Sequence, residues 1–116
     1  IEIRPADGLY DYQAKYTRED TRYLIDPELP PGVAERIQRQ TVDLARAMGL
    51  RDLCRADFLL DDQHRAVFLE VNTMPGFTSH SLVPMAAARV GIPVAELVSA
   101  FVDNAMSRRP ASVRIG

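Results

Sequence analysis

Tryptophan is absent from this 116-residue chain, cysteine occurs once, and aromatic residues make up only 7% of it. The single thiol, Cys54, has no partner for an internal disulfide, which excludes a small scaffold stapled by cystines. It sits in an apolar run, where a buried and inert thiol is the expected reading. An excess of one charge sign is also missing: 14 Lys and Arg against 16 Asp and Glu give a formal net charge of −2. Without a basic stripe there is no footprint for a nucleic-acid backbone, so an anionic ligand must be held locally. No apolar run is long enough to span a bilayer, and neither a repeat nor a low-complexity tract occurs. Nothing at the start reads as a charged-then-apolar leader, so a reducing cytoplasm is the expected compartment, with neither nucleic acid nor membrane as a partner.

What is present is ordinary globular composition, 47% hydrophobic and 26% charged, at a length that allows one domain. Ile1-Glu2-Ile3-Arg4 already alternates like a strand and no Met precedes it, so the chain is expected to begin inside a domain of a longer polypeptide. Residues 5–30, with Pro5, Gly8, Pro27 and Pro30 and no clear period, are expected to form a long loop, and such loops tend to be functional lids. From Pro31 onward, Val33, Ile37, Thr41, Leu44, Ala45 and Met48 recur at helical spacing, and Gly49 supplies a stop. Two β-prone runs, Leu53 to Asp61 and Arg65 to Val71, flank a polar Asp-Asp-Gln-His turn and read as an antiparallel hairpin over 53–71. Residues 72–82 read as a loop, with Ser81 heading a short helix that Gly91 ends. Pro93 opens a last helix whose apolar face is Val94, Leu97, Val98, Phe101 and Met106, and residues 108–116 read as a frayed tail. The pattern is α+β: an antiparallel sheet packed against helices.

Alternation puts Arg55, Asp57 and Leu59 on one side of the first hairpin strand, and Phe68, Glu70 and Asn72 on one side of the second. Pairing Asp61 with Ala66 across a four-residue turn sets Asp57 opposite Glu70 and Arg55 opposite Asn72. Opposed carboxylates repel unless a cation lies between them. Oxygen ligands from Asp57, Glu70 and Asn72 suit a hard divalent ion such as Mg²⁺ or Mn²⁺. Plain solvent-facing acids would give the same spacing; Arg55 on the same face favours a site that handles phosphate. In the following loop, Gly76 permits close backbone approach and its amide could meet an oxyanion. Ser81 joins a hydroxyl to a helix N-terminus, which suits a carboxylate or phosphate, although without the neighbouring loop motif a plain helix cap is the preferred reading. Lys15, among the aromatics of Leu9-Tyr10-Asp11-Tyr12-Gln13-Ala14-Lys15-Tyr16, is either a solvated charge or a lid lysine that closes over phosphate.

The run from Glu70 to Leu82, the Tyr-Asp-Tyr-Gln-Ala-Lys-Tyr stretch and Cys54-Arg55-Ala56-Asp57 resemble, in order and separation, segments of the D-alanine:D-alanine ligases of the ATP-grasp superfamily. The likeness spans Ile3 to about Val98, and Asn-Thr-x-Pro-Gly-x-Thr is its most specific part. The resemblance implies the C-terminal part of an ATP-grasp domain over 1–107. It further implies two metal ions on the ATP phosphates held by Asp57, Glu70 and Asn72, with Glu70 shared. Arg55 would stabilise the transition states and the Gly76 amide the oxyanion, while Ser81 and the amide of Leu82 would hold the carboxylate of the second D-alanine. Lys15 would reach the phosphate from an omega-type loop, and Tyr16 would anchor that loop. One position departs from the pattern: Gln13 stands where glutamate is frequent.

By the same resemblance, the intact enzyme joins two D-alanines through an acyl phosphate, feeds peptidoglycan precursor synthesis and is a homodimer. The amino-terminal and central portions would supply the first D-alanine and adenine contacts, so this chain alone is expected to be inactive. Two rivals stand beside it: an ATP-grasp ligase with D-lactate or D-serine as acceptor, which Tyr16 disfavours, and a non-catalytic folding or interaction module.

Overall fold

The computed structural model describes residues 1–5, 21–78 and 80–108. Lys15 and Tyr16, and most of the segment read as a lid, lie outside these residues. Strand β1 (Glu2–Arg4) pairs antiparallel with β2 (Arg22–Leu24), Ile3 opposite Tyr23. The end of the segment read as a loop therefore contains a short strand, too brief at three residues to show a period in the sequence.

Helix α1 (Val33–Ala47) starts at Gly32, whose φ of 80° is a left-handed conformation that glycine adopts without strain. It ends as the sequence predicts. Gly49 has φ 64°, its N–H donates to Arg46 O, and the Leu50 N–H reaches back to Ala45 O at 2.9 Å. That pair of bonds satisfies carbonyls that a helix end otherwise leaves open. Gly91 closes α2 (Leu82–Arg89) in the same way, through Ala88 O and Ala87 O, and α3 (Val94–Ser107) follows from Pro93. Among the described residues no single helix is long and apolar enough to cross a membrane.

The second sheet is the hairpin of β3 (Arg55–Leu60) and β4 (Ala66–Asn72). Its turn is one residue tighter than the sequence suggested. The Asp61 N–H donates to Arg65 O, the His64 N–H donates to Asp61 O, and His64 takes φ 55°. This is the frame of a turn closed by a left-handed residue. Asp61 holds it with its side chain: Oδ1 accepts from the amides of Gln63 and Arg65, both at 2.9 Å, and Oδ2 accepts from Arg65 Nε at 2.6 Å.

Near the turn the register is Leu60↔Ala66 and Phe58↔Phe68, but at the open end it is Asp57↔Glu70 and Arg55↔Asn72. Leu69 is the extra residue, a bulge in β4 that makes up for the shorter turn. The bulge also corrects one sequence expectation. Phe68 is not on the Glu70 face; it crosses to the other side of the ladder and packs against Phe58, ring centroids 5.8 Å apart.

The Arg65 amide, then the Arg65 side chain, hold the partly exposed Asp61 carboxyl below the usual carboxylate range. A carboxyl lowered on folding stabilises the fold above its unfolded pKa and loses that contribution as pH falls through the folded value. Asp61→Asn should therefore lower the thermal midpoint at neutral pH, and the gap to the parent should close as pH falls through and below the usual carboxylate range. Calorimetry over that range checks it; a gap that persists at the acid end would show that the turn does not depend on this charge.

Only Val33 and Ala87 are buried hydrophobic residues among those described. Elements are tied instead by single contacts: Arg36 Nη2 donates to His64 O at 2.7 Å, Arg89 pairs with Asp26, and Arg108 with Asp52. Phe77, in the loop after β4, meets Phe101 of α3 edge-on at 6.1 Å and holds that loop to the helix.

Candidate functional site

The open end of the hairpin brings four of the residues singled out in the sequence together on one face. Arg55 lies opposite Asn72 and Asp57 opposite Glu70. The Arg55 guanidinium grips Asp57 with two bonds, Nε to Oδ1 at 2.8 Å and Nη2 to Oδ2 at 2.9 Å, and Nη2 also stands 3.8 Å from Glu70 Oε1. A forked cation between two carboxylates is the geometry in which arginine outperforms lysine. The grip is partly shielded, with the Arg55 and Asp57 side chains 22% and 16% exposed, whereas that of Glu70 is 51% exposed. At the end of β4, Asn72 Oδ1 accepts from the Met74 N–H at 2.9 Å, which fixes the amide oxygen in place.

This donor set suits a divalent cation that keeps other ligands. Among the described residues no group of three or more His, Cys, Asp or Glu could enclose a metal ion. Two carboxylates and an amide oxygen are what Mg²⁺ or Mn²⁺ takes from a protein when phosphate oxygens and water complete the shell. Calcium in an all-protein cage or a zinc centre would need more, or softer, ligands.

β4 runs straight into the second part of the site. Ser81 precedes α2 with φ −86° and ψ 143°, the position of a helix cap, yet its side chain makes no capping bond. The plain-cap reading is therefore excluded. Ser81 Oγ turns back instead, accepting from the Thr78 N–H at 3.0 Å and lying 2.9 Å from Thr78 Oγ1. The Met85 N–H takes Ser81 O, and Pro84 has no N–H, so Leu82 and Val83 carry the amides at the head of the helix. Gly76 is needed for space: a Cβ there would lie 2.9 Å from Ser81 Oγ. Gly76 and Ser81 thus lie side by side, and Leu82 follows as the first residue of α2.

Sequence reasoning missed Thr78. The signal was present as a threonine three residues before Ser81, spaced for a side-chain-supported turn. His80 is exposed and has no recorded hydrogen bond among the described residues.

A family model described as D-ala D-ala ligase C-terminus matches residues 1–103. The chain belongs to that family. Among curated members, the D-alanine–D-alanine ligase of Bordetella avium is 49% identical over 114 residues, covering 98% of this chain and 36% of the relative. That of Nitrosomonas europaea is 48% identical over 103 residues, 89% of this chain and 34% of the relative. The crystal structure of the ligase from Bacillus anthracis superposes with a TM-score of 0.72 at 31% identity, covering 90% of this chain and 34% of that one. The α+β reading, an antiparallel sheet with helices from the C-terminal part of an ATP-grasp domain, agrees with this family. The chain spans about a third of the length of the relatives it matches.

Proposed function

We propose that this chain is the metal- and acceptor-binding portion of a cytoplasmic D-alanine:D-alanine ligase, acting in peptidoglycan precursor synthesis. The observation that carries the reading is the continuity of the Arg55–Asp57–Glu70–Asn72 face with the loop that ends at Ser81. A site for polyphosphate and a site for a small carboxylate share one strand end.

Asp57, Glu70 and Asn72 would hold Mg²⁺ or Mn²⁺, two ions with Glu70 shared between them, and Arg55 would stand where negative charge gathers. Divalent cations supply neutralisation of the ATP phosphates while a phosphoryl group moves to the carboxylate of the first D-alanine. The Gly76 amide would donate to the oxyanion that forms when the amine of the second D-alanine attacks the acyl phosphate. Ser81 Oγ–H and the Leu82 N–H would hold the carboxylate of that second D-alanine, helped by the positive end of α2. Lys15 and Tyr16 belong to this proposal as lid residues, one facing phosphate and one anchoring the loop. Contacts to adenine and to the first D-alanine would come from the portions of the relatives that lie outside the match, and homodimerisation would involve the full-length enzyme.

The test is phosphate release by the full-length ligase carrying this segment, with D-alanine, D-lactate and D-serine as acceptors. Release with D-alanine as the preferred acceptor is expected; preference for D-lactate or D-serine would reassign the acceptor, and none with any of them would refute the ligase reading. Within that assay, Ser81→Ala is expected to raise the apparent KM for the second D-alanine by roughly tenfold to a hundredfold, the worth of one hydrogen bond to a charged group. ATP and the first D-alanine should be affected far less. Equal weakening at both D-alanine sites would remove Ser81 from the acceptor pocket.

A further inference from the structure

Thr78 is bonded twice to the side chain proposed to meet the acceptor, and the hydrogen-bond arithmetic of that contact restricts what Ser81 can do. A serine hydroxyl has one proton and two lone pairs. One lone pair is taken by the Thr78 N–H at 3.0 Å. The second contact, Thr78 Oγ1 to Ser81 Oγ at 2.9 Å, can run in either direction. If Ser81 donates, its proton is used inside the protein and the oxygen turns only a lone pair outward, which repels an anion. If Thr78 donates, both Ser81 lone pairs are filled and the proton must point away from Thr78. A carboxylate only accepts, so it selects the second arrangement, and two donors on Oγ polarise the Ser81 O–H toward it.

We infer that Thr78 is a positioning residue of the acceptor site: through its amide and hydroxyl it sets Ser81 as an outward-facing donor to the carboxylate of the acceptor amino acid. The inference rests on the acceptor role proposed above for Ser81. Three features of the loop agree with it. Ser81 is not occupied in capping its own helix. Gly76 leaves the space that Ser81 Oγ fills, since a side chain there would displace it. Thr78 itself is exposed, so its hydroxyl is not there to pack a core.

The experiment is a double-mutant cycle in the full-length ligase, with steady-state kinetics on both D-alanine sites and on ATP. Thr78→Val keeps the shape and the amide but removes the hydroxyl; Thr78→Ser keeps the hydroxyl. Thr78→Val is expected to raise the apparent KM for the acceptor D-alanine about fivefold to tenfold, leaving that for ATP within about twofold. Thr78→Ser should restore the parent value to within about twofold, and in a Ser81→Ala background Thr78→Val should add less than about twofold. A silent Thr78→Val, an undiminished effect in the Ser81→Ala background, or failure of Thr78→Ser to rescue would each overturn the inference while leaving the acceptor role of Ser81 standing. If instead Ser81→Ala alone left the acceptor KM unchanged, the acceptor role would fall, and the inference with it. Circular dichroism of each variant should match the parent.

Discussion

Glu70→Gln is expected to lower kcat/KM of the full-length ligase by at least about a hundredfold while leaving the fold intact. Replacing even an outer partner of a metal ligand commonly costs about tenfold to a hundredfold, and a direct ligand should cost no less. The fold should survive because the Glu70 side chain is half exposed and faces Asp57, so neutralising it also removes a like-charge opposition. Turnover at saturating Mg²⁺, with circular dichroism and thermal unfolding alongside, gives the answer. Near-normal activity in a normally folded variant would sink the metal assignment.

Arg55→Met should be as damaging to turnover, by roughly a hundredfold to a thousandfold, on the scale of losing one donor that stabilises transition-state charge. It has a second, opposite signature. In the parent, both Asp57 oxygens already accept from the guanidinium, so a divalent cation must share them. Without Arg55, the two facing carboxylates lose the guanidinium that lies against both of them, and a metal between them counts for more. The variant should therefore unfold at a lower temperature without metal and gain more than the parent when Mg²⁺ or Mn²⁺ is added. Unfolding curves with and without the ion decide it: equal gains in both proteins, or turnover that survives the loss of Arg55, would show that the guanidinium and the metal do not share a site.

The long elements and the site face were legible because their signals are local. Helix α1 is written in the spacing of Val33, Ile37, Thr41 and Leu44 and in Gly49, and two acids with an arginine at alternate positions mark a charged strand face. Strand β2 was not legible, since three residues paired with a three-residue partner leave no period to read. The opposition of Asp57 and Glu70 was reached from a turn one residue too long, and the bulge at Leu69 cancelled the difference. Alternation cannot reveal such a bulge, and it misplaced Phe68 for that reason. Thr78 escaped because its importance lies in which way a proton points, and only the placed oxygen of Ser81 makes that visible.

The bulge has the character of a dislocation in a crystal: one extra residue inserted in a row, with regular pairing on either side of it. A dislocation lets two halves of a lattice adjust separately. The half toward the turn could slip by one residue, giving up both the bulge and the tight Asp61 turn, and the pairs Asp57↔Glu70 and Arg55↔Asn72 would stay as they are. Errors of turn length are thus absorbed at Leu69 before they reach the charged end. A residue gained or lost in the Asp61–Arg65 turn can in this way be taken up beside Phe58, with the charged pairs left in place.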